Sequence, residues 1–176
     1  MKKPKVLIAE ISGRRPGTKK ARPTEKFKYN FDKVIISNNS DGYQTDWKII
    51  DVPENYQSWY KDNIAISKKA FYAPMNRNYA IKYAREAGYD YLIQLDDNIV
   101  KYGLCFSTKS GGVFRTSKDT PNLSDIQNDM FEYLIEVLEN STAVMSGMTL
   151  PGVGAPKHKV LAERYVYSAF ALKLDK

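Results

Sequence analysis

Two adjacent carboxylates and an amide follow an apolar run at residues 91–98, which read YLIQLDDN. The run predicts a buried strand, so Asp96, Asp97 and Asn98 should lie at the edge of a sheet, where open α/β folds bind ligands. Carboxylate and amide oxygens suit hard cations such as Mg²⁺ and Mn²⁺, and those cations suit phosphate. The segment therefore indicates a sheet, a metal site and a phosphorylated substrate.

Positive charge is concentrated at one end of the chain. The net charge is +7, and residues 1–33 hold 11 Lys and Arg against 3 Asp and Glu, whereas the rest holds 16 against 17. Such a cluster can hold a pyrophosphate, follow a nucleic-acid backbone or form a solvated flexible loop, and all three readings stay open. The candidate nucleic-acid contacts are Arg14, Arg15, Lys19, Lys20 and Arg22.

Composition limits the class of protein. The 176 residues, 43% of them hydrophobic, predict a single domain spanning residues 1–176. No segment approaches the roughly 18 apolar residues of a membrane span, and the basic N-terminus precedes too short an apolar run for a signal peptide. Cys105 is the only cysteine, so it forms no internal disulfide and is expected to be a small buried hydrophobe. We therefore expect a cytoplasmic protein without a membrane partner.

Periodicity predicts alternating strands and helices. A helix ending at Gly88 and running into a buried strand is half of a βαβ unit, so we expect an α/β fold with a mixed, mainly parallel sheet. Asn76 is the expected N-cap of that helix, and Ser124 opens a capping box for a later one. The predicted strands are residues 5–11, 31–37, 47–51, 91–95, 143–148 and 164–172; the helices are 57–69, 77–87 and 124–140; the loops are 12–29, 107–122 and 150–158.

Residues 76–98 resemble the central part of GT-A type nucleotide-sugar glycosyltransferases. Arg77 and Asn78 begin an alanine-bearing helix, Gly88 follows it, and the next strand ends at Asp96-Asp97, which is similar to the DxD motif of that family. The order of elements resembles that family over residues 5–172. Within the family, the chain looks most like small phage and bacterial members, including transferases acting on modified DNA bases. It implies a Rossmann-like, three-layer nucleotide-diphospho-sugar transferase domain.

The resemblance also implies an activity and a site. The expected reaction moves a sugar from a nucleotide sugar, with UDP-sugars favoured, to a hydroxyl acceptor such as a hydroxymethylated base in phage DNA, in the host cytoplasm. Mn²⁺ or Mg²⁺ would be held by Asp97, Asn98 and His158. Asp96, Asp97 and Glu163 are the expected catalytic residues, and the nucleotide-sugar contacts would be Glu10, Ser12, Arg14, Asp41, Arg77 and Asp96.

Two departures from the family pattern leave other functions open. Asn98 stands where many members have an acid, which weakens the expected metal site, and the chain reaches Lys176 with less sequence after the motif than members usually have. We therefore expect a truncated or minimal transferase. His158 and Glu163 also fit ordinary structural or surface roles. The alternatives are a non-enzymatic nucleic-acid-binding domain that uses residues 14–28, and a catalytically silent relative that only binds a nucleotide.

Overall fold

The computed structural model describes most of the chain. The described residues are 3–18, 20–65, 67, 71–102, 126–148 and 168–175, together with the backbone of 105–107 and 113–115. The predicted site residues Lys19, His158 and Glu163, and the capping residue Ser124, lie outside them.

The described part of the chain contains eight strands, three α-helices and a short 3-10 turn. The strands are β1 (Val6–Ser12), β2 (Asp32–Ser37), β3 (Lys48–Asp51), β4 (Tyr91–Asp96), β5 (Cys105–Ser107), β6 (Val113–Arg115), β7 (Met145–Gly147) and β8 (Ala169–Lys173). The helices are α1 (Glu54–Asn63), α2 (Ala73–Glu86) and α3 (Ile126–Glu139), and a short 3-10 turn covers Pro23–Lys26.

Six strands form one sheet in the order β3-β2-β1-β4-β8-β7. Strands β1 to β4 pair in parallel, and β8 pairs antiparallel with both β4 and β7. The predicted α/β class and mixed, mainly parallel sheet are therefore confirmed. The predicted loop at 107–122 is wrong in part, because β5 and β6 pair there as a separate two-stranded sheet.

The central strands are buried on both faces, which places their carboxyl ends rigidly. Ile8 and Ile93 pack on one face against residues of α3, including Phe131. Leu7 and Leu92 pack on the other face, against α1 and α2. Side chains alternate across a strand, so a strand between two helical layers needs apolar residues at nearly every position. The carboxyl ends of β1, β2 and β4 thereby meet at one edge of the sheet.

Several predicted boundaries were wrong. Helix α2 begins at Ala73, not after Asn76, because Pro74 suits a first helical turn, whose N–H groups need no intrahelical partner. Helix α1 begins directly after Pro53, three residues earlier than predicted. Strand β7 is an edge strand with Met145 exposed, although a buried strand was predicted. Gly88 has a φ of +75°, which confirms its place after the end of α2.

Candidate functional site

A cleft of about 420 Å³ opens at the carboxyl edge of the sheet, beside the ends of β1 and β4. The chain leaves β1 toward β2, whereas β4 lies on the other side of β1, so the cleft sits where strand order reverses. Open α/β folds bind ligands at this point. Its lining residues are Ile11, Ser12, Gly13, Arg14, Arg15, Asn38, Tyr72, Ala73, Asn76, Asp96, Asp97 and Asn98.

The N-terminus of α2 faces this cleft. Tyr72 and Ala73 line the wall, and no side chain caps the helix end, whose first turn also lacks an acidic residue. A helix N-terminus carries partial positive charge and orients N–H groups toward an anion. The guanidinium of Arg14 lies 4.6 Å from the centre of the Tyr72 ring, so it adds a full positive charge beside the helix end.

The backbone is strained on both sides of the acidic turn. Arg14 has a φ of +58° and Ser168 has a φ of +61°, and they are the two non-glycine residues with positive φ in the described chain. The carbonyl of Ser168 accepts a hydrogen bond from the N–H of Asp96 at 2.8 Å. Strain of this kind costs about 1–3 kcal/mol per residue and tends to occur at functional sites. Its position supports the assignment of the cleft as the site.

Both carboxylates of the acidic turn are paired with arginines. Asp97 Oδ2 lies 3.1 Å from Arg15 Nε, and Asp96 Oδ1 pairs with Arg77. Arg77 is held further by Gln94 Oε1 at 3.3 Å and stacks 5.2 Å from the centre of the Phe170 ring. Groups that can bind an anion and groups that can bind a cation thus meet around the acidic turn.

A buried hydrogen-bond network fixes the position of Asp97. The Ser12 hydroxyl donates to Asp97 Oδ2 at 2.8 Å, so the Tyr43 hydroxyl, 2.9 Å away, must donate to Ser12. Burial raises the pKa of Asp97, and the Ser12 hydrogen bond and the Arg15 charge oppose that rise. Ser12 lines the cleft but is only 3% exposed, so its main role is to orient the acidic turn through its hydrogen bond to Asp97.

Replacement of Ser12 with alanine tests this network. A hydrogen bond to a buried charged group contributes about 1.5–3 kcal/mol, so Ser12→Ala should lower the free energy of unfolding near neutral pH by that amount, as measured by urea denaturation. Ser40→Ala is the matched control, because Ser40 donates to the Asp51 carboxylate at an exposed position. A loss in Ser12→Ala no larger than in the control would contradict a buried, ionised Asp97.

Arg22 holds the loop after β1, described at residues 13–18 and 20–28, from the inside. Its fully buried guanidinium donates to Glu25 Oε1 at 2.6 Å and to the carbonyls of Arg15 at 2.6 Å and Gly17 at 3.2 Å. It also lies 4.0 Å from the centre of the Tyr43 ring. The prediction that Arg22 contacts nucleic acid is therefore corrected: a side chain with no exposed surface cannot reach a phosphate backbone. The loop is anchored to the fold, which also argues against a solvated flexible loop.

Glu10 lies beneath the same loop and does not face the cleft. Its side chain has no exposed surface, and within the described structure neither carboxyl oxygen has a hydrogen-bond partner. Arg22 Nε is 3.7 Å from Glu10 Oε1, beyond hydrogen-bond distance, and is already bonded to Glu25. Burial, with the charges of Glu25 and Asp97, raises the pKa of Glu10 to about 9. The predicted contact between Glu10 and a nucleotide is therefore corrected.

The remaining predicted residues are divided between the cleft and other surfaces. Arg14, Arg15, Asp96, Asp97 and Asn98 line the cleft together, and Arg77 supports it through Asp96. Asp41 is exposed in the turn after β2 and does not line the cleft, and Lys20 is exposed elsewhere on the loop. The roles predicted for Lys19, His158 and Glu163 stay predictions.

Some residues of the site were not identified from the sequence. Asn38 follows β2 at the same edge as the acidic turn, and that position is the signal that could have found it. The side-chain amide of Asn76 donates to the Ser12 carbonyl at 2.7 Å and to Asn38 Oδ1 at 3.2 Å, which joins α2 to β1 and β2. Nothing local in the sequence marks Tyr43, because its contacts with Ser12 and Arg22 are long-range.

The donor set of the acidic turn fits a hard divalent cation. Asp96 and Asp97 each contact their arginine through one oxygen, and Asn98 adds an exposed amide at the cleft. Within the described residues no group of three or more His, Cys, Asp or Glu side chains could hold a metal ion. Mg²⁺ commonly uses one or two carboxylates and completes its coordination with water and substrate phosphate, so a smaller set is sufficient.

Comparisons of the chain with models of protein families, with curated proteins and with solved structures gave no match. In the described part of the chain, no helix has the length and apolar character needed to cross a membrane.

Proposed function

We propose that the protein is a GT-A-like glycosyltransferase, which binds the diphosphate of a nucleotide sugar in the cleft and moves the sugar to a hydroxyl acceptor. The observation that carries the proposal is the meeting of Arg14, Arg15 and the N-terminus of α2 around the Asp96-Asp97 turn, at the point where strand order reverses. Three sources of positive charge beside two carboxylates suit a phosphate ligand that brings a divalent cation.

The arginines have a defined task in this reaction. The acceptor oxygen forms a bond to the anomeric carbon of the sugar while the bond from that carbon to the phosphate oxygen breaks, and the acceptor proton passes to a base. The departing nucleoside diphosphate gains negative charge, which the Arg14 and Arg15 guanidinium groups and the end of α2 can stabilise. Arg77 keeps Asp96 oriented through their ion pair.

A divalent cation fits the same arrangement. Asp96 and Asp97 would hold Mn²⁺ or Mg²⁺ with Asn98 nearby, and the cation would supply charge that stabilises the leaving diphosphate. Glu163 remains the predicted base and His158 a predicted metal ligand. UDP-sugars remain the favoured donors.

The acceptor is proposed only by class. Lys20, Lys26 and Lys28 are exposed on the loop after β1 and favour an anionic acceptor. DNA that carries a hydroxymethylated base is one such acceptor. Such binding should weaken steeply with added salt, whereas binding of a neutral glycan should not. The non-enzymatic nucleic-acid-binding alternative is weakened, because Arg22 is internal and Arg14 and Arg15 line the cleft.

Calorimetric titration with UDP, in the presence and absence of Mn²⁺, tests the proposal. We expect the wild-type protein to bind UDP more tightly with Mn²⁺, and Asp97→Ala to lose the Mn²⁺-dependent part of the affinity. Lys28→Gln is the control, because Lys28 is an exposed residue of the same loop away from the cleft. Other nucleoside diphosphates follow if UDP fails. Equal binding by the wild type and Asp97→Ala would remove the acidic turn from the proposal.

A further inference from the structure

The charged groups of the cleft pair with one another. Asp97 Oδ2 accepts a hydrogen bond from Ser12 and forms an ion pair with Arg15. The carboxylate that we propose for the cation is therefore paired with an arginine that we propose for the diphosphate. Asp96 likewise forms an ion pair with Arg77. A cation at Asp97 therefore meets the like charge of Arg15, and a diphosphate has to draw Arg15 away from Asp97.

The two pairs differ in how readily they can separate. The Arg15 side chain is 45% exposed and lies on a loop, whereas the Asp97 side chain is 9% exposed and anchored by Ser12. The Arg77 side chain is 25% exposed and is additionally held by Gln94 and the Phe170 ring. Arg15 is thus the partner that is free to turn toward the cleft, while Arg77 stays with Asp96.

We propose that Arg15 acts as an internal counter-ion that makes cation and diphosphate binding mutually dependent: Arg15 leaves Asp97 for the diphosphate, and Asp97 becomes available to the cation. The inference rests on the proposed function. A cation alone would have to approach Asp97 against the like charge of Arg15. A diphosphate alone would draw Arg15 away and leave Asp97 as an unpaired, largely buried charge, which is strongly unfavourable.

The exchange requires a reciprocal linkage between the ligands. Mn²⁺ should raise the affinity for UDP by the same factor by which UDP raises the affinity for Mn²⁺, and typical linkages of this kind are about 5–150-fold. Chelation of Mn²⁺ by UDP in solution contributes to the measured factor in every variant alike. Variants are therefore needed to isolate the contribution of Arg15.

The decisive measurement is Mn²⁺ binding without nucleotide, followed by the electron paramagnetic resonance signal of free Mn²⁺. In Arg15→Gln the competing guanidinium is gone, so we expect an affinity for Mn²⁺ alone at least about 5-fold higher than in the wild type, the lower end of such linkages. Lys28→Gln removes the same charge from an exposed site of the same loop and should leave the affinity unchanged. Circular dichroism confirms that each variant is folded.

A second variant tests the exchange from the other side. Asp97→Asn keeps the shape of the side chain but no longer attracts Arg15, so UDP should bind it more tightly than the wild type when Mn²⁺ is absent. If the wild type binds UDP but Arg15→Gln holds Mn²⁺ no better than Lys28→Gln does, the exchange is refuted and the proposed function stands. If the wild type binds no nucleoside diphosphate under any condition, both are refuted.

Discussion

Replacement of Arg22 with methionine is expected to lower the free energy of unfolding by about 3–5 kcal/mol, the usual effect of removing one partner of a buried ion pair. Arg22 has no exposed surface, and its loss would leave the Glu25 carboxylate without its 2.6 Å partner. The carbonyls of Arg15 and Gly17 would lose their donors as well. Urea denaturation at neutral pH measures the change.

A double variant separates the ion pair from the packing of the side chain. Arg22→Met combined with Glu25→Gln removes both charges, so it should be more stable than Arg22→Met alone. Lys20→Met is the surface control, with an expected change within about 0.5 kcal/mol. An Arg22→Met protein as stable as that control would show that the guanidinium does not hold the loop.

Replacement of Glu10 with glutamine is expected to raise the free energy of unfolding by up to about 3 kcal/mol at pH 7. The pKa of Glu10 is about 9 in the folded protein, against an ordinary value of 4.5. Between these two pH values the unfolded chain releases the Glu10 proton and the folded chain keeps it, so stability falls as pH rises from 4.5 toward 9. Below 4.5 both states are protonated and the effect disappears.

Glutamine is neutral at every pH, so Glu10→Gln should remove this dependence. The difference from the wild type is expected to be small at pH 5 and large at pH 8, as measured by urea denaturation at both values. Glu25→Gln is the matched comparison and should instead lower the free energy of unfolding, because Glu25 is the hydrogen-bonded partner of Arg22 and its charge stabilises the fold. A Glu10→Gln protein less stable than the wild type at pH 8 would show that Glu10 is ionised and paired.

The two central strands and the position of the acidic turn were predictable from the sequence. Largely apolar runs that end in polar residues occur at both β1 and β4, broken by Glu10 in β1 and by Gln94 in β4, and strands buried on both faces require near-continuous runs of this kind. Gly88 marked the end of α2 for a similarly local reason. The chain takes a positive φ just after this helix, and glycine adopts a positive φ with less strain than other residues. Features set by neighbours along the chain could therefore be predicted.

Only the tertiary structure decided which charged residues face the cleft. Arg14, Arg15 and Arg22 look equivalent in the sequence, yet Arg22 points inward because Glu25, Tyr43 and two carbonyls surround it. Glu10 is interior because both faces of β1 are buried, although the resemblance to GT-A transferases implied a nucleotide contact. The pairing of Arg15 with Asp97 joins positions 82 residues apart in sequence. A charged side chain goes where its counter-charges and hydrogen-bond partners are, and the fold brings those partners from distant parts of the chain.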